Sequence, residues 1–126
     1  MGALDGIKVL DLSRVLAGPW ATQLLADLGA DVVKVESPKG DGTRGWGPPY
    51  IDGDAAYYHA CNRGKRSMIV DLKSEEGMTI LHKLIQASDV VVENFKTGTL
   101  ERFGVVPEML EGKILCRITG YGQTGP

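Results

Sequence analysis

The sequence predicts an α/β fold with a mostly parallel, doubly wound sheet of about five strands. Short runs of β-branched and aliphatic residues alternate with segments of helical periodicity, an order that is typical of α/β proteins. The runs are almost continuously hydrophobic, which favours parallel strands covered on both faces. A chain of 126 residues, 43% of them hydrophobic, is long enough for one domain with its own core.

The stretch over residues 7–36 predicts a strand–helix–strand unit around which the rest of the chain is arranged. An apolar run at residues 7–12 is the first strand, and a loop follows it. Pro19 is favoured at the first helical position, where its missing N–H is not needed. Gly29 ends the helix, and a second strand completes the unit. An apolar helix face is predicted by residues that recur every four positions, namely Trp20, Leu24 and Leu28, with Ala21 and Leu25 beside them.

The remaining elements follow from the same periodicities and from helix-capping residues. Residues 37–66 are dense in Gly and Pro, so we expect a long loop with one helical turn near residues 55–61. Ser74 is a good N-cap for a helix that ends near Ala87. The other predicted elements are strands at 67–71, 89–93 and 113–119, short helices at 99–103 and 107–110, and a Gly-rich loop from residue 120 onward.

The loop from Arg14 to Pro19 is the predicted ligand site. Ligands of such sheets bind at the carboxyl ends of the strands, against a helix N-terminus. The G-x-G-x-x-G fingerprint of dinucleotide-binding folds is absent from this loop, which disfavours NAD. Glu36 resembles the ribose-binding acid of those folds, but without the glycines we interpret it as a solvated strand end. Taken alone, Lys65, Arg66 and Lys73 are also interpreted as solvated side chains.

Composition and spacing argue against several classes of protein. The net charge of −2 gives no basic surface for nucleic acid, and no apolar segment approaches the roughly 20 residues that span a membrane. Cys61 and Cys116 lack CxxC spacing, so we expect reduced thiols in a cytoplasmic protein. The N-terminus leads directly into a predicted strand, so we expect no signal peptide. With two histidines in the chain, neither a nucleophilic triad nor a metal site is predicted.

Five motifs occur in order along nearly the whole chain. They are LDGIKVLDLSRVLAGPWATQLLADLGADVVKVE, GDGTR with WGPP, NRGKRSMIVDLKSEEG, DVVVENFKTGTLERFG and ITGYGQTGP. In this order they resemble the N-terminal part of the family III coenzyme-A transferases, a group that includes formyl-CoA transferase, succinyl-CoA-dependent transferases and α-methylacyl-CoA racemase. The resemblance implies that residues 1–126 are an N-terminal, Rossmann-like domain that binds the nucleotide part of coenzyme A.

Position by position, the resemblance implies a coenzyme A site built from six segments and no metal. Coenzyme A carries phosphates and an adenine, so Lys and Arg side chains and a flat apolar seat suit it. Lys73 is expected near phosphate. The implied residues are Val15, Leu16 and Ala17 in the first loop, Ser37 after the second strand, Val70, Asp71, Leu72 and Lys73 beside the adenosine, Asn94, Phe95 and Lys96 after the fourth strand, Arg102 in a short helix, and Thr119, Gly120 and Tyr121 after the last strand.

The chain also departs from the family pattern. Ser37 stands where formyl-CoA transferase has an arginine, and the connection between Leu110 and Cys116 is shorter than usual. The family's nucleophilic aspartate, like the His–Asp pair of the racemase branch, would lie beyond Pro126. We therefore expect a fragment or minimal version of a larger two-domain enzyme, with no catalytic residue, weak coenzyme A binding at most and no turnover by the chain alone.

Three functions stay open at this point. The first is the coenzyme-A-binding part of a transferase that moves CoA from an acyl-CoA donor to a carboxylic acid by covalent catalysis. The second is the corresponding part of a racemase-like enzyme, and the third is a non-catalytic α/β domain that acts by self-association. Because full-length family members form interlaced dimers, the resemblance implies a homo-oligomer with acyl-CoA or CoA as its small-molecule partner.

Overall fold

The computed structural model describes residues 2–126 as strands that alternate with helices. The strands are β1 (Lys8–Asp11), β2 (Asp31–Glu36), β3 (Tyr50–Ile51), β4 (Asp54–Ala55), β5 (Arg66–Ile69), β6 (Val90–Glu93) and β7 (Ile114–Arg117). The α-helices are α1 (Ala17–Asp27), α2 (Ala56–Cys61), α3 (Glu75–Gln86) and α4 (Thr99–Arg102), and two 3₁₀ turns span Gly42–Gly45 and Pro107–Leu110. No helix within residues 2–126 is long and apolar enough to cross a membrane.

Five of the strands form one parallel sheet in the order β5-β2-β1-β6-β7. Leu10 of the central strand β1 lies opposite Val33 of β2 and Val91 of β6. The predicted α/β fold with five parallel strands is confirmed, and each of these five strands ends within two residues of its predicted bounds. Because parallel strands end at the same edge, the loops after β1, β2, β5 and β6 are brought together there.

The hydrophobic core lies on both faces of this sheet. One cluster packs the strands against α3, and its buried members include Leu10, Leu12, Leu81, Ile85 and Val91. A second cluster packs the other face against α1, with Val9, Val32 and Val92 buried and Leu25 and Ala26 partly buried. Doubly covered strands explain the near-continuous hydrophobic runs in the sequence.

The apolar stripe predicted on α1 does not face the sheet. Trp20, Leu24 and Leu28 are 62%, 57% and 43% exposed. The face that packs on the sheet combines Leu25 and Ala26 with small and polar residues. One of the polar residues, Thr22, donates a hydrogen bond to buried Asp11 at 2.6 Å. The fully buried residues of this helix are Gly18, Pro19, Thr22 and Gln23.

The start of α1 also differs from the prediction. The helix begins at Ala17, so Pro19 is its third residue rather than its first. Proline remains compatible with this position because the first four N–H groups of a helix have no partner within it. At the other end, Gly29 adopts the left-handed conformation expected of a residue that ends a helix (φ 106°).

Residues 37–66 contain more regular structure than predicted. The expected helical turn is present as α2, but a 3₁₀ turn and the antiparallel pair β3–β4 precede it. The 3₁₀ turn is capped by Asp41, which accepts a hydrogen bond from the Thr43 N–H at 3.0 Å. Strands of two residues are too short to show a periodicity, so the sequence alone did not indicate this pair.

Candidate functional site

The loop after β1 is fixed through its backbone by side chains from two other parts of the chain. Asn94, which follows β6, accepts from the Arg14 N–H at 2.9 Å and donates to the Arg14 carbonyl at 2.7 Å. The Val15 N–H donates to the carboxylate of Asp41 at 3.3 Å. The predicted ligand loop therefore has a defined conformation that depends on residues far away in the sequence.

A cavity of about 420 Å³ opens beside this loop, at the edge where the parallel strands end. Its volume lies in the range of small-molecule sites. One wall is apolar and consists of Leu12, Val35, Val70, Leu72, Phe95 and Phe103. The other lining residues are Arg14, Glu36, Ser37, Pro38, Lys39, Gly40, Asp41, Asp71, Lys73 and Thr99. We call this cavity the nucleotide cavity, after the part of coenzyme A that the resemblance predicts for this domain.

Three cationic side chains, Arg14, Lys39 and Lys73, line the nucleotide cavity. All three residues are exposed, and within residues 2–126 none of them forms an ion pair. The Arg14 guanidinium lies 5.5 Å from the centroid of the Phe95 ring, a cation–π distance. The cavity therefore combines free positive charge with an aromatic wall, which suits a phosphorylated ligand with a flat ring.

Glu36 is buried in the cavity wall, and its interpretation as a solvated strand end is wrong. Arg44 donates to both of its carboxylate oxygens at 2.8 Å, the Tyr58 hydroxyl donates at 2.6 Å, and the Asp41 N–H donates at 2.8 Å. Burial acts to raise the pKa of Glu36, but these hydrogen bonds outweigh burial and lower the pKa to about 2. A carboxylate occupied in this way is not free to bind a ribose, which further disfavours NAD.

Lys65 is also buried, so the prediction of a solvated side chain is wrong for this residue. Its ammonium group donates to Asp11 at 2.9 Å and to the Pro19 carbonyl at 2.8 Å, and the side chain is 2% exposed. Burial lowers the pKa of Lys65, and the negative charge of Asp11 opposes this effect. Lys65 thus connects the end of the long loop to β1 and α1, whereas Arg66 and Lys73 are exposed as expected.

The segment Asp71–Lys73, which lines the nucleotide cavity, is fixed by the start of α3. The Asp71 carbonyl accepts hydrogen bonds from the N–H and the hydroxyl of Ser74 at 3.1 and 2.8 Å. Ser74 also caps α3 as predicted, since its hydroxyl accepts from the Gly77 N–H at 2.9 Å. Gly77 approaches the Asp71 carbonyl so closely that any Cβ at this position would overlap it. Glycine is therefore required here by close packing.

A second cavity of about 350 Å³ lies between the loops that follow β6 and β7. It is lined by residues 94–97 from the first of these loops and by residues from Ile118 to Pro126 from the second. Phe95 lines both cavities. The two cavities are therefore neighbours along the same edge of the sheet.

The structure distributes the predicted site residues over these two cavities. The nucleotide cavity takes Ser37, Val70, Asp71, Leu72, Lys73 and Phe95, and the second cavity takes Asn94, Phe95, Lys96, Thr119, Gly120 and Tyr121. Neither cavity is lined by Val15, Leu16, Ala17 or Arg102. The Arg102 guanidinium instead donates to the Thr99 hydroxyl at 2.8 Å.

Ten of the lining residues were not among the predicted coenzyme A contacts, and they include Lys39, Thr99, Phe103 and Arg14, although Arg14 lies in the predicted ligand loop. A usable signal existed for the two cations, because each lies three residues after the last residue of a strand. Phe103 was predicted only as part of a short helix. Its ring meets that of Phe95 edge to face, with the centroids 5.6 Å apart, and this contact builds the aromatic wall.

Glu93 is a buried carboxylate at the end of β6. Residues that follow it directly in the sequence line the two cavities, but Glu93 lines neither. Within residues 2–126, its Oε1 atom has no hydrogen-bond partner, and the nearest cationic atom is Arg117 Nε at 3.8 Å. Burial raises the pKa of Glu93, the charge of Arg117 opposes this, and Glu101 adds to it. Arg117 pairs more closely with Glu101, at 2.6 Å.

Metal ligands and thiols add little to the site. Among residues 2–126, no group of three or more His, Cys, Asp or Glu side chains is placed to hold a metal ion. Cys61 and Cys116 are free thiols. Burial raises the pKa of the Cys61 thiol, so this group is less reactive than an exposed cysteine.

The family profile described as CoA-transferase family III matches residues 4–126. The chain belongs to this family. Among curated members, the succinate–glutarate CoA-transferase of Agrobacterium fabrum is 55% identical over 98% of this chain and 34% of its own length. The human succinyl-CoA:glutarate CoA-transferase is 49% identical over 98% of this chain and 29% of its own length.

Solved structures of similar proteins share the fold. A CAIB/BAIF family protein from Brucella suis is 55% identical, with a TM-score of 0.93 over 99% of this chain and 35% of that chain. A hypothetical protein from Mycobacterium tuberculosis is 42% identical, with a TM-score of 0.90 over 100% of this chain and 36% of that chain. The chain therefore spans about a third of the length of the family members it matches.

Proposed function

We propose that this chain is the coenzyme-A-binding part of an enzyme that transfers CoA from an acyl-CoA donor to a carboxylic acid. The observation that carries the proposal is the pairing of an apolar, aromatic wall with three unpaired cations in one cavity. Family membership supports CoA as the ligand. The 3′-phosphate and the diphosphate of CoA supply the negative charge that such a cavity would bind.

In this proposal the adenine lies against the apolar wall formed by Leu72 and Phe95, and the phosphates face the cations. Lys39 lies two residues after Ser37, the position at which formyl-CoA transferase has an arginine. It supplies a positive charge at the same edge of the sheet, so the lost arginine is offset. Lys96 and the loop after β7, which line the second cavity, would then lie along the rest of the CoA molecule.

Transfer is favoured over racemisation by the relatives, since those named above are CoA-transferases. None of the residues of this chain is assigned a catalytic role, and we expect no turnover by the chain alone. Acyl-CoA and CoA are the proposed small-molecule partners. A cytoplasmic location is also proposed, and the two free thiols support it because disulfides are rare in that compartment.

Calorimetric titration of the chain with CoA tests this proposal. We expect weak binding, with a Kd on the order of 0.1–1 mM. Lys73→Ala should weaken binding by about fivefold, because it removes a cation from the cavity. Lys83→Ala, which removes a cation from α3 outside the cavity, should leave the Kd unchanged. No heat of binding, or equal affinity in wild type and the Lys73 variant, would refute the assignment.

A second candidate, a non-catalytic domain that acts by self-association, is favoured by the exposed stripe on α1. Trp20 and Leu24 are 62% and 57% exposed, and apolar surface of this kind promotes association. In this case a second copy of the chain would cover the stripe and form a homo-oligomer. Light scattering after size exclusion distinguishes the candidates: Leu24→Lys should convert an oligomer to a monomer, and a monomeric wild type at high concentration would refute self-association.

A further inference from the structure

We propose that Asp41, Lys34 and Asn94 are positioning residues, which hold the loop Ser13–Val15 in a strained conformation and thereby direct Arg14 into the nucleotide cavity. The inference rests on the proposed function and extends it, because it makes Arg14 an anion-binding residue of the site. The evidence is a set of hydrogen bonds from three side chains to three successive residues of one loop.

The loop needs external support because Val15 is in a conformation that its side chain disfavours. Its φ is 73°, in the left-handed region where a β-branched residue is an outlier. Such a conformation persists only when the surroundings enforce it, and strained residues cluster at ligand sites. Asp52 is the other non-glycine residue with positive φ within residues 2–126, and it lies in the exposed turn between β3 and β4.

Two buried and oppositely charged side chains hold both ends of the loop. Lys34 donates to the Ser13 carbonyl at 3.1 Å and to Asp41 at 2.9 Å, and Asp41 accepts from the Val15 N–H at 3.3 Å. The side chains of Lys34 and Asp41 are 1% and 0% exposed. Lys34 does not line the nucleotide cavity, and the carboxylate of the lining residue Asp41 is buried, so we expect both side chains to affect binding through the loop.

Asp41 is suited to this role because both oxygens of its carboxylate are already hydrogen-bonded. Its second oxygen accepts from the N–H and the hydroxyl of Thr43 at 3.0 and 2.8 Å. Burial acts to raise the pKa of Asp41, but the hydrogen bonds from Thr43 and Lys34 lower it, so the carboxylate stays charged opposite Lys34. An uncharged residue here would leave the Lys34 ammonium group buried without a counter-charge.

Asn94 completes the arrangement at the central residue of the loop. Its amide oxygen accepts from the Arg14 N–H and its amide nitrogen donates to the Arg14 carbonyl, at 2.9 and 2.7 Å. With its backbone held on both sides, Arg14 extends its guanidinium over the Phe95 ring at 5.5 Å. Arg14 lines the nucleotide cavity and has no ion pair within residues 2–126, so its charge is available to a phosphate.

A double-mutant cycle on CoA binding by the full chain tests the inference. Arg14→Ala should weaken binding by about tenfold, as expected for a hydrogen bond to a charged group. Asp41→Asn and Asn94→Ala should each weaken it to a similar extent. If they act through Arg14, adding either change to Arg14→Ala should cause little further loss. If a double variant instead binds CoA about a hundredfold more weakly than wild type, so that the two single losses in affinity multiply, the inference is overturned.

Hydrogen exchange of the Val15 amide supplies a readout that needs no ligand. Protection of this amide should fall in Asp41→Asn and in Asn94→Ala, and it should be unchanged in Asp27→Asn, which alters an exposed ion pair with Arg63 far from the loop. Unchanged protection in both variants would overturn the positioning role even if CoA binds. Conversely, reduced protection in a chain that does not bind CoA would refute the proposed function and the role of Arg14 but keep the positioning of the loop.

Discussion

The guanidinium of Arg44 donates to both carboxylate oxygens of Glu36, at 2.8 Å each. This bidentate contact joins the end of β2 to the 3₁₀ turn of the long loop, and the same guanidinium bonds Asp54 at 2.7 Å. Because Glu36 and Asp41 both line the nucleotide cavity, the contact also fixes one wall of the proposed site. Charged groups therefore contribute to the order of residues 37–66, beside the buried residues Ala55, Tyr58 and Cys61.

We expect Glu36→Gln to remove most of a pH-dependent contribution to stability. The pKa of Glu36 is about 2, below its usual 4.5, so the unfolded state binds more protons between these values. The contribution is fully present above pH 4.5 and is lost as the pH falls towards 2. It amounts to about 3 kcal/mol at pH 7. Urea unfolding at pH 7 and near pH 3 measures it.

The control for this experiment is Glu111→Gln, which alters an exposed carboxylate. The free energy of unfolding should change little in the control at either pH. In Glu36→Gln, the free energy of unfolding should be much lower than that of wild type at pH 7, and this difference should become smaller as the pH falls. A loss of equal size at both pH values would show that Glu36 contributes through packing rather than through its charge.

Lys65→Met should destabilise the fold by about 3–5 kcal/mol, because it leaves the buried carboxylate of Asp11 without its counter-charge. Arg63→Met, which breaks an exposed pair with Asp27, should have no measurable effect. Chemical unfolding of both variants gives the comparison. If both variants lose the same free energy of unfolding, the long loop is not anchored by Lys65.

Glu93→Gln should stabilise the protein at neutral and alkaline pH. Burial raises the pKa of Glu93, so the folded state binds more protons than the unfolded state above pH 4.5. The contribution of Glu93 to the stability of the fold is present below pH 4.5, and it is lost as the pH rises through the folded-state pKa. The melting temperature of the variant should exceed that of wild type by a few degrees at pH 8 and match it at pH 4. A lower melting temperature at pH 8 would mean that the carboxylate has a stabilising partner.

Gly77→Ala should impair both folding and CoA binding. A methyl group at this position would overlap the Asp71 carbonyl, so α3 and the segment Asp71–Lys73 would have to move apart. We expect a loss of about 1–3 kcal/mol in stability and weaker CoA binding. Gly45→Ala is the matched control, since a Cβ there meets no atom within 4 Å. Wild-type CoA affinity in Gly77→Ala would show that this segment is not part of the site.

Much of the fold could be predicted because its signals are local. The five parallel strands are hydrophobic runs, and the α3 cap depends on Ser74 and Gly77, which are three residues apart. The orientation of α1 could not be predicted in the same way. Periodicity shows that Trp20, Leu24 and Leu28 share a face, but it does not show that polar Thr22 is drawn towards the sheet by Asp11.

The polar network of the site was missed because its partners are distant in the sequence. Lys65 pairs with Asp11, 54 residues away, and Asn94 pairs with Arg14, 80 residues away. A lysine is usually a surface residue, so the sequence alone indicated a solvated side chain for Lys65. Pairing across such distances is decided by the sheet order, which brings the ends of β1, β2, β5 and β6 together.

The location of CoA on the chain is the most direct test of the central claim. Amide chemical-shift changes during a titration of the ¹⁵N-labelled chain with CoA identify the residues at the bound ligand. The proposal predicts that the largest changes fall at Lys39, Leu72, Lys73 and Phe95, around the nucleotide cavity. Absent changes, or changes confined to the opposite region around His82 and Lys113, would contradict it.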